Sequence, residues 1–183
     1  MMSTLRLWLF RVLVLVVAGI MLASAILPWW RASVVLVVTP ASGLESFQVT
    51  LYQHGIPTAT GYEYFQTDVT PASQVKLGWA YIGLSISLLL AGSFIKGKAG
   101  KWIIGTTGAT YIIYALVAVF WIARRTAVYG VPLMGETTLV RQNGEIVTTG
   151  LQSGYYLALV SGLIGLVLAL FYDKLTGRSK SNI

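Results

Sequence analysis

The chain contains no cysteine. That excludes disulfides, thiolate catalysis, iron–sulfur ligation and cysteine-based zinc sites together. Charge is also scarce. Asp, Glu, Lys and Arg make up 10% of the residues, against about a quarter in a soluble domain. Histidine occurs once, as His54. A haem held between membrane spans needs histidine within a helix, and His54 falls in a loop, so haem is discounted. Without disulfides, any segment outside the hydrophobic runs must hold itself by strand pairing and packing.

What the chain has is apolar length. It is 56% hydrophobic with a mean hydropathy of +0.73, gathered into four long runs. Each run is about 20 residues, enough to cross roughly 30 Å of hydrocarbon as a helix. The stretch 77–123 organises the rest. Two apolar runs flank a lysine-bearing turn, Lys96-Gly97-Lys98-Ala99-Gly100-Lys101, and form a transmembrane helical hairpin. One span precedes it and one follows. Spans are expected at about 7–27, 77–95, 102–123 and 153–172. Outer loops then cover 29–76 and 124–150, with an inner turn at 96–101 and a tail at 173–183. The whole chain, 1–183, reads as one membrane domain.

The first run has some features of a signal peptide: Arg6 and Arg11, an apolar stretch, and Ala23-Ser24-Ala25. It is read as a span because Leu7 to Phe10 extend the apolar stretch beyond Arg11, which can snorkel to the interface. Pro28 ends it, since the residue before a proline is pushed out of the helical region.

The first loop carries strand signals. The segment 32–39, ASVVLVVT, is rich in β-branched residues. LESFQVTLYQ then alternates, with Phe47, Val49 and Leu51 on one face and Gln48, Thr50 and Tyr52 on the other. A third strand is expected at 62–69, and a short helical lead-in at 71–75. In the second loop, Asn143-Gly144 lies between two β-rich arms, a strong hairpin signal because both turn residues need positive φ. This hairpin is expected to join the first-loop sheet, burying Val35, Val37, Val49 or Leu51 against Leu139 or Val147. An open sheet edge cannot lie in lipid. The fold class is therefore an all-α integral membrane protein: a four-transmembrane-helix bundle with a small extracytoplasmic antiparallel β-sheet built from both outer loops.

Orientation follows from lysine and arginine. With both termini cytoplasmic, the inner side holds eight: Arg6, Arg11, Lys96, Lys98, Lys101, Lys174, Arg178 and Lys180. The outer side holds five: Arg31, Lys76, Arg124, Arg125 and Arg141. The excess marks the cytoplasmic face. It accounts for the formal charge of +7 without nucleic acid. A multi-pass protein of the cell membrane is expected.

Apart from Arg11, the spans hold no ionisable residue of the kinds that mark proton relays or ion paths. No catalytic, cofactor-binding or metal residue is assigned. His54 has Glu45, Glu63 and Asp68 in the same loop, but nothing in the spacing selects a metal. A solvent-exposed histidine at a turn before Gly55 is expected. Arg124-Arg125 is expected to close the third span, with an anionic headgroup or a partner's carboxylate as its functional alternative. Small residues recur at helical spacing: Gly83, Ser87 and Ala91; Gly105 and Ala109; Ser161, Gly165 and Ala169. Such stripes let helix backbones approach closely, within this bundle or against another subunit. Thr106, Thr107 and Thr110 either line a polar path or bond back to their own helix. Trp29, Trp30, Tyr62 and Tyr64, with Tyr52 and Phe65, form either an interaction surface or the small core of the sheet. Asn143 and Gly144 complete the candidate interaction set.

Four spans, a long stranded first loop after Trp29-Trp30, a tiny inner turn and a shorter second loop resemble the claudin and peripheral-myelin-protein class in topology. That family's Gly-Leu-Trp segment and paired cysteines are absent from the first loop, so no functional residue carries over. The resemblance implies an adhesion, barrier or accessory role. The expected function is non-enzymatic: an accessory, assembly or surface-interaction subunit working through its β-cap and helix faces. Its partners would be membrane lipids and other integral membrane subunits, in a hetero- or homo-oligomer. The alternatives are an oligomeric pore or carrier, or a cofactor-free subunit of a quinone- or lipid-linked enzyme.

Overall fold

A computed structural model describes residues 2–36, 46–55, 59–60, 71–139 and 145–176. Four helices are long and apolar enough to cross a membrane, which suggests a multi-pass membrane protein. They are α1 (Met2–Ile26), α2 (Ala72–Phe94), α3 (Lys98–Val128) and α4 (Ser153–Leu170). A short α5 (Tyr172–Leu175) follows a break at Phe171. The strands are β1 (Trp30–Leu36), β2 (Ser46–Leu51), β3 (Ala59–Thr60), β4 (Gly135–Leu139) and β5 (Glu145–Leu151). The strand expected at 62–69 lies outside the described residues.

Several boundaries differ from expectation. α1 begins at Met2 rather than near residue 7. The inner turn expected at 96–101 is shorter, because α3 already begins at Lys98. The lead-in at 71–75 is not a separate piece, because α2 is continuous from Ala72. Arg124-Arg125 does not close α3, which runs on to Val128. Arginine is a good helix former, so the pair does not by itself end the helix. The chain turns only after Val128, at Tyr129-Gly130, where Gly130 takes φ +68°.

The chain divides into two compact units. The first comprises the described residues within Met1–Ala23, Ala80–Ala115 and Leu157–Ile183. Its α1 segment buries Phe10, Val14, Val17 and Met21, a stripe at helical spacing, while Leu9, Leu13 and Val16 are exposed. Ile82 and Leu89 of α2, Ile104 and Tyr111 of α3, and Ala158 and Leu168 of α4 complete this core. The Tyr111 hydroxyl donates to the Met21 carbonyl at 3.3 Å. Close approach occurs between α3 and α4. A Cβ on Gly108 would lie 2.8 Å from the Gly162 carbonyl oxygen and 3.0 Å from the Leu166 nitrogen, so only glycine fits there.

The second unit comprises the described residues within Ser24–Trp79 and Leu116–Tyr156. It holds an antiparallel five-stranded sheet in the order β3-β2-β1-β5-β4. The segments before α2 and after α3 therefore share one sheet, joined at β1–β5. Trp30, Ala32, Val34, Val49 and Val147 line the buried face and pack with Ile122 and Val131. The strand period of two dictates this set. Val34 occupies the core position expected for Val35, because the tryptophan at Trp30 sets the inward parity and Val35 falls on the other face. Thr149 sits on the buried side and donates its hydroxyl to the Pro132 carbonyl at 2.7 Å.

Candidate functional site

The face of the sheet opposite the core is polar apart from the Val35–Ile146 pair near one end. Register places Gln48, Ser33, Thr148 and Glu136 in one transverse row across β2, β1, β5 and β4. Gln48 Nε2 donates to Ser33 Oγ at 3.4 Å, while Gln48, Thr148 and Glu136 are exposed. The neighbouring row is Thr50, Arg31 and Gly150. Together these rows present hydroxyls, an amide, a guanidinium and a carboxylate over strands drawn from both loops. They can hydrogen-bond a polar partner surface. None of these face residues stood out individually in the sequence. The alternation of LESFQVTLYQ was the signal for Gln48 and Thr50.

Trp29 and Trp30 are not on this surface. They are 1% and 7% exposed. Trp29 Nε1–H donates to the Ser24 carbonyl at 2.8 Å, and its ring meets Tyr155 edge-on at 5.9 Å between centroids. Trp30 Nε1–H donates to the Leu133 carbonyl at 3.0 Å. The Trp29 backbone bridges both neighbours, its N–H donating to Leu51 and its carbonyl accepting from Gln152. Two large amphipathic rings soon after α1 act here as anchors, with each indole N–H satisfied inside. Tyr62, Tyr64, Asn143 and Gly144 lie outside the described residues.

His54 is half-buried rather than solvent-exposed. It stacks between Tyr52 at 5.5 Å and Trp79 at 4.7 Å. Gly78 leaves it room, since a Cβ there would come 2.8 Å from the His54 Cα. Burial pushes the imidazole pKa below its ordinary value, partly opposed by a hydrogen bond to the Ala25 backbone. Its loop neighbours Glu45, Glu63 and Asp68 lie outside the described residues. Tyr52 is a near sequence neighbour of His54, but no sequence signal links Trp79 to it, because the fold brings that ring in from α2. Glu145, at the start of β5, is buried, and desolvation raises its carboxyl pKa.

Arg124 and Arg125 are both exposed on α3. The Arg125 guanidinium lies 5.7 Å from the centroid of the Trp121 ring, one turn back. Both remain open to an anionic group.

The small-residue stripes separate by location. Gly83, Ser87 and Ala91 of α2 are exposed, and a Cβ on Gly83 would meet nothing within 4 Å. Ser161, Gly165 and Ala169 of α4 are buried. Gly105 approaches Ala169, its Cβ position 3.2 Å away, and Ala109 is half-buried. The closest α3–α4 backbone approach uses Gly108 and Gly162, which a search at four-residue spacing passes over. Three-residue spacing, Gly105 to Gly108 and Gly162 to Gly165, lies on one helix face equally well. The threonine hydroxyls bond back to their own helix: Thr106 to Trp102, Thr107 to Ile103 and Thr110 to Thr107.

No protein-family model and no curated protein matches the chain.

Proposed function

We propose that this protein is a multi-pass membrane subunit, with both termini cytoplasmic, that recognises another integral membrane protein through the polar face of its shared sheet. It serves as an accessory or assembly subunit, and the chemistry of any associated reaction resides in the partner. The row Gln48–Ser33–Thr148–Glu136 carries this reading. It is an ordered surface that exists only when both loops are folded together. Exposed Arg124 and Arg125 add charge for a partner's carboxylate. The exposed stripe Gly83, Ser87 and Ala91 supports a second contact within the membrane, because small residues let a foreign helix approach.

Purification of the full chain in mild detergent tests this. A stable heteromeric complex is expected. Thr148→Arg places a bulky charge in the middle of the face and should lose the partner while the chain stays in the membrane fraction. Full partner retention in that variant would move recognition to the helix faces. A homo-oligomer conducting solute in liposomes would replace the reading with a pore.

A further inference from the structure

One end of the first unit gathers cations from separate elements. Phe10 of α1 meets Tyr172 edge-on, with ring centroids 5.2 Å apart. The next residue, Arg11, holds its guanidinium 4.7 Å from the centroid of the Phe94 ring at the end of α2. The Tyr172 hydroxyl donates to the Ile95 carbonyl in the turn that follows. Asp173 pairs with Lys101 of α3 at 3.0 Å. These contacts bring together the chain segments that carry Arg11, Lys96, Lys98, Lys101 and Lys174. Arg6 lies about one and a half turns before Arg11 on α1.

The charge at this end is uncompensated. Asp173 is the only acid among the described residues of this unit, and it is engaged by Lys101. Arg6, Lys96, Lys98 and Lys174 are exposed. Lys98 opens α3, whose first turn has no acidic residue. A helix N-terminus already favours anions, so lysine there raises an unfavourable positive potential. Arg11 Nε is buried and has no hydrogen-bond partner among the described residues. The border of this cationic zone is aromatic and apolar. Trp8 and Trp102 are exposed, and exposed Phe171 has the Lys174 ammonium 5.6 Å from its ring centroid. Cations beside exposed aromatic rings match the headgroup level of a bilayer.

We propose that this end of the first unit binds the phosphate of anionic phospholipids, with the acyl chains lying along the adjoining apolar helix faces. Arg11, Lys96, Lys98 and Lys174 supply the charge, and Trp8 and Trp102 meet the glycerol and upper-chain region. Lys101 is held in its ion pair with Asp173. The site rests on the membrane reading above.

The test uses the full chain purified in neutral detergent. Phosphatidylglycerol, phosphatidylcholine or inorganic phosphate is added, and retained lipid is read by native mass spectrometry alongside the melting temperature. Phosphatidylglycerol should be retained selectively and raise the melting temperature, less so as salt rises, because exposed charges are screened. Each of Lys96→Gln, Lys98→Gln and Lys174→Gln should lower that retention about fivefold, the equivalent of the ~1 kcal/mol a basic residue gains near an anionic surface. Lys76→Gln, on an exposed lysine of the second unit, should leave it unchanged. Equal retention of the two lipids, or full retention by the triple lysine variant, overturns the proposal. An equal melting shift with inorganic phosphate alone also overturns it, since the site would then take a free anion. Resistance of the chain to alkaline extraction from membranes is scored separately. If that is lost, the membrane reading fails; if it holds without lipid preference, only this site does.

Discussion

Val34 and Val147 face each other where β1 meets β5, and both have 0% of their surface exposed. Truncating either to alanine removes two buried methyl groups. At roughly 0.8 kcal/mol per buried carbon, the transfer loss is about 1.6 kcal/mol. The unfilled space adds a further cost, so each single variant should lose about 2–3 kcal/mol. In a chain of this size, 1 kcal/mol shifts the melting temperature by roughly 2–4 °C, so each variant should melt about 4–12 °C lower. The double variant should lose less than the sum, because the second truncation enters a space already opened by the first. A coupling of about 0.5–1 kcal/mol is expected for residues in contact. Thermal unfolding in detergent, with amide exchange read at β4 and β5, measures all four corners of the cycle. Additivity within about 0.3 kcal/mol would show that the two valines do not touch, and the shared core would be refuted.

Gly108→Ala should destabilise by about 1–3 kcal/mol through overpacking, because its Cβ meets α4 backbone at 2.8 Å. Gly83→Ala should melt at or slightly above the parent, since its Cβ meets nothing within 4 Å; detergent melting curves of the pair check both. The His54 pKa is lowered from 6.5 by burial. The unfolded chain therefore binds the proton more readily, and stability should fall as pH drops from 6.5 through the folded value. His54→Gln should flatten a melting profile taken between pH 7.5 and pH 5. The Glu145 pKa is raised from 4.5 by desolvation, so its contribution is present below that value and is lost as pH rises through the folded pKa. Glu145→Gln should be more stable than the parent at pH 7 and lose that advantage below pH 4.5, as read by the same melts.

The four long apolar helices were legible because apolar length is a direct requirement of crossing hydrocarbon, and no Asp, Glu, Lys, Arg or His interrupts the runs beyond Arg11. The joining of the loops was legible from the two loops together. A two-stranded hairpin is marginal by itself, so β4 and β5 needed a third strand or an apolar surface, and 32–52 was the most apolar β-rich segment available. The inward face of β1 was harder to phase. Val34, Val35, Leu36 and Val37 are apolar on both parities, so only Trp30 and Ala32 set the face. The fate of Trp29 and Trp30 was open because amphipathic rings suit a surface and a core alike. The His54–Trp79 stack and the Gly108–Gly162 contact join residues far apart in sequence. No local period reports them.

A cysteine pair across the β1–β5 junction tests the account most directly. Ser33 and Thr148 are paired residues on adjacent strands, within the roughly 4.4–6.8 Å Cα separation that a disulfide spans. Glu136 lies in the same row but one strand further on, nearly 10 Å from Ser33 at about 4.8 Å per strand. The chain has no cysteine of its own to interfere. In intact cells, Ser33→Cys with Thr148→Cys should oxidise to a single cross-linked species. Reduced, both thiols should react with a membrane-impermeant reagent. Ser33→Cys with Glu136→Cys should stay reduced. Failure of the first pair to cross-link would contradict one sheet shared by both loops, and labelling only after lysis would place that sheet in the cytoplasm.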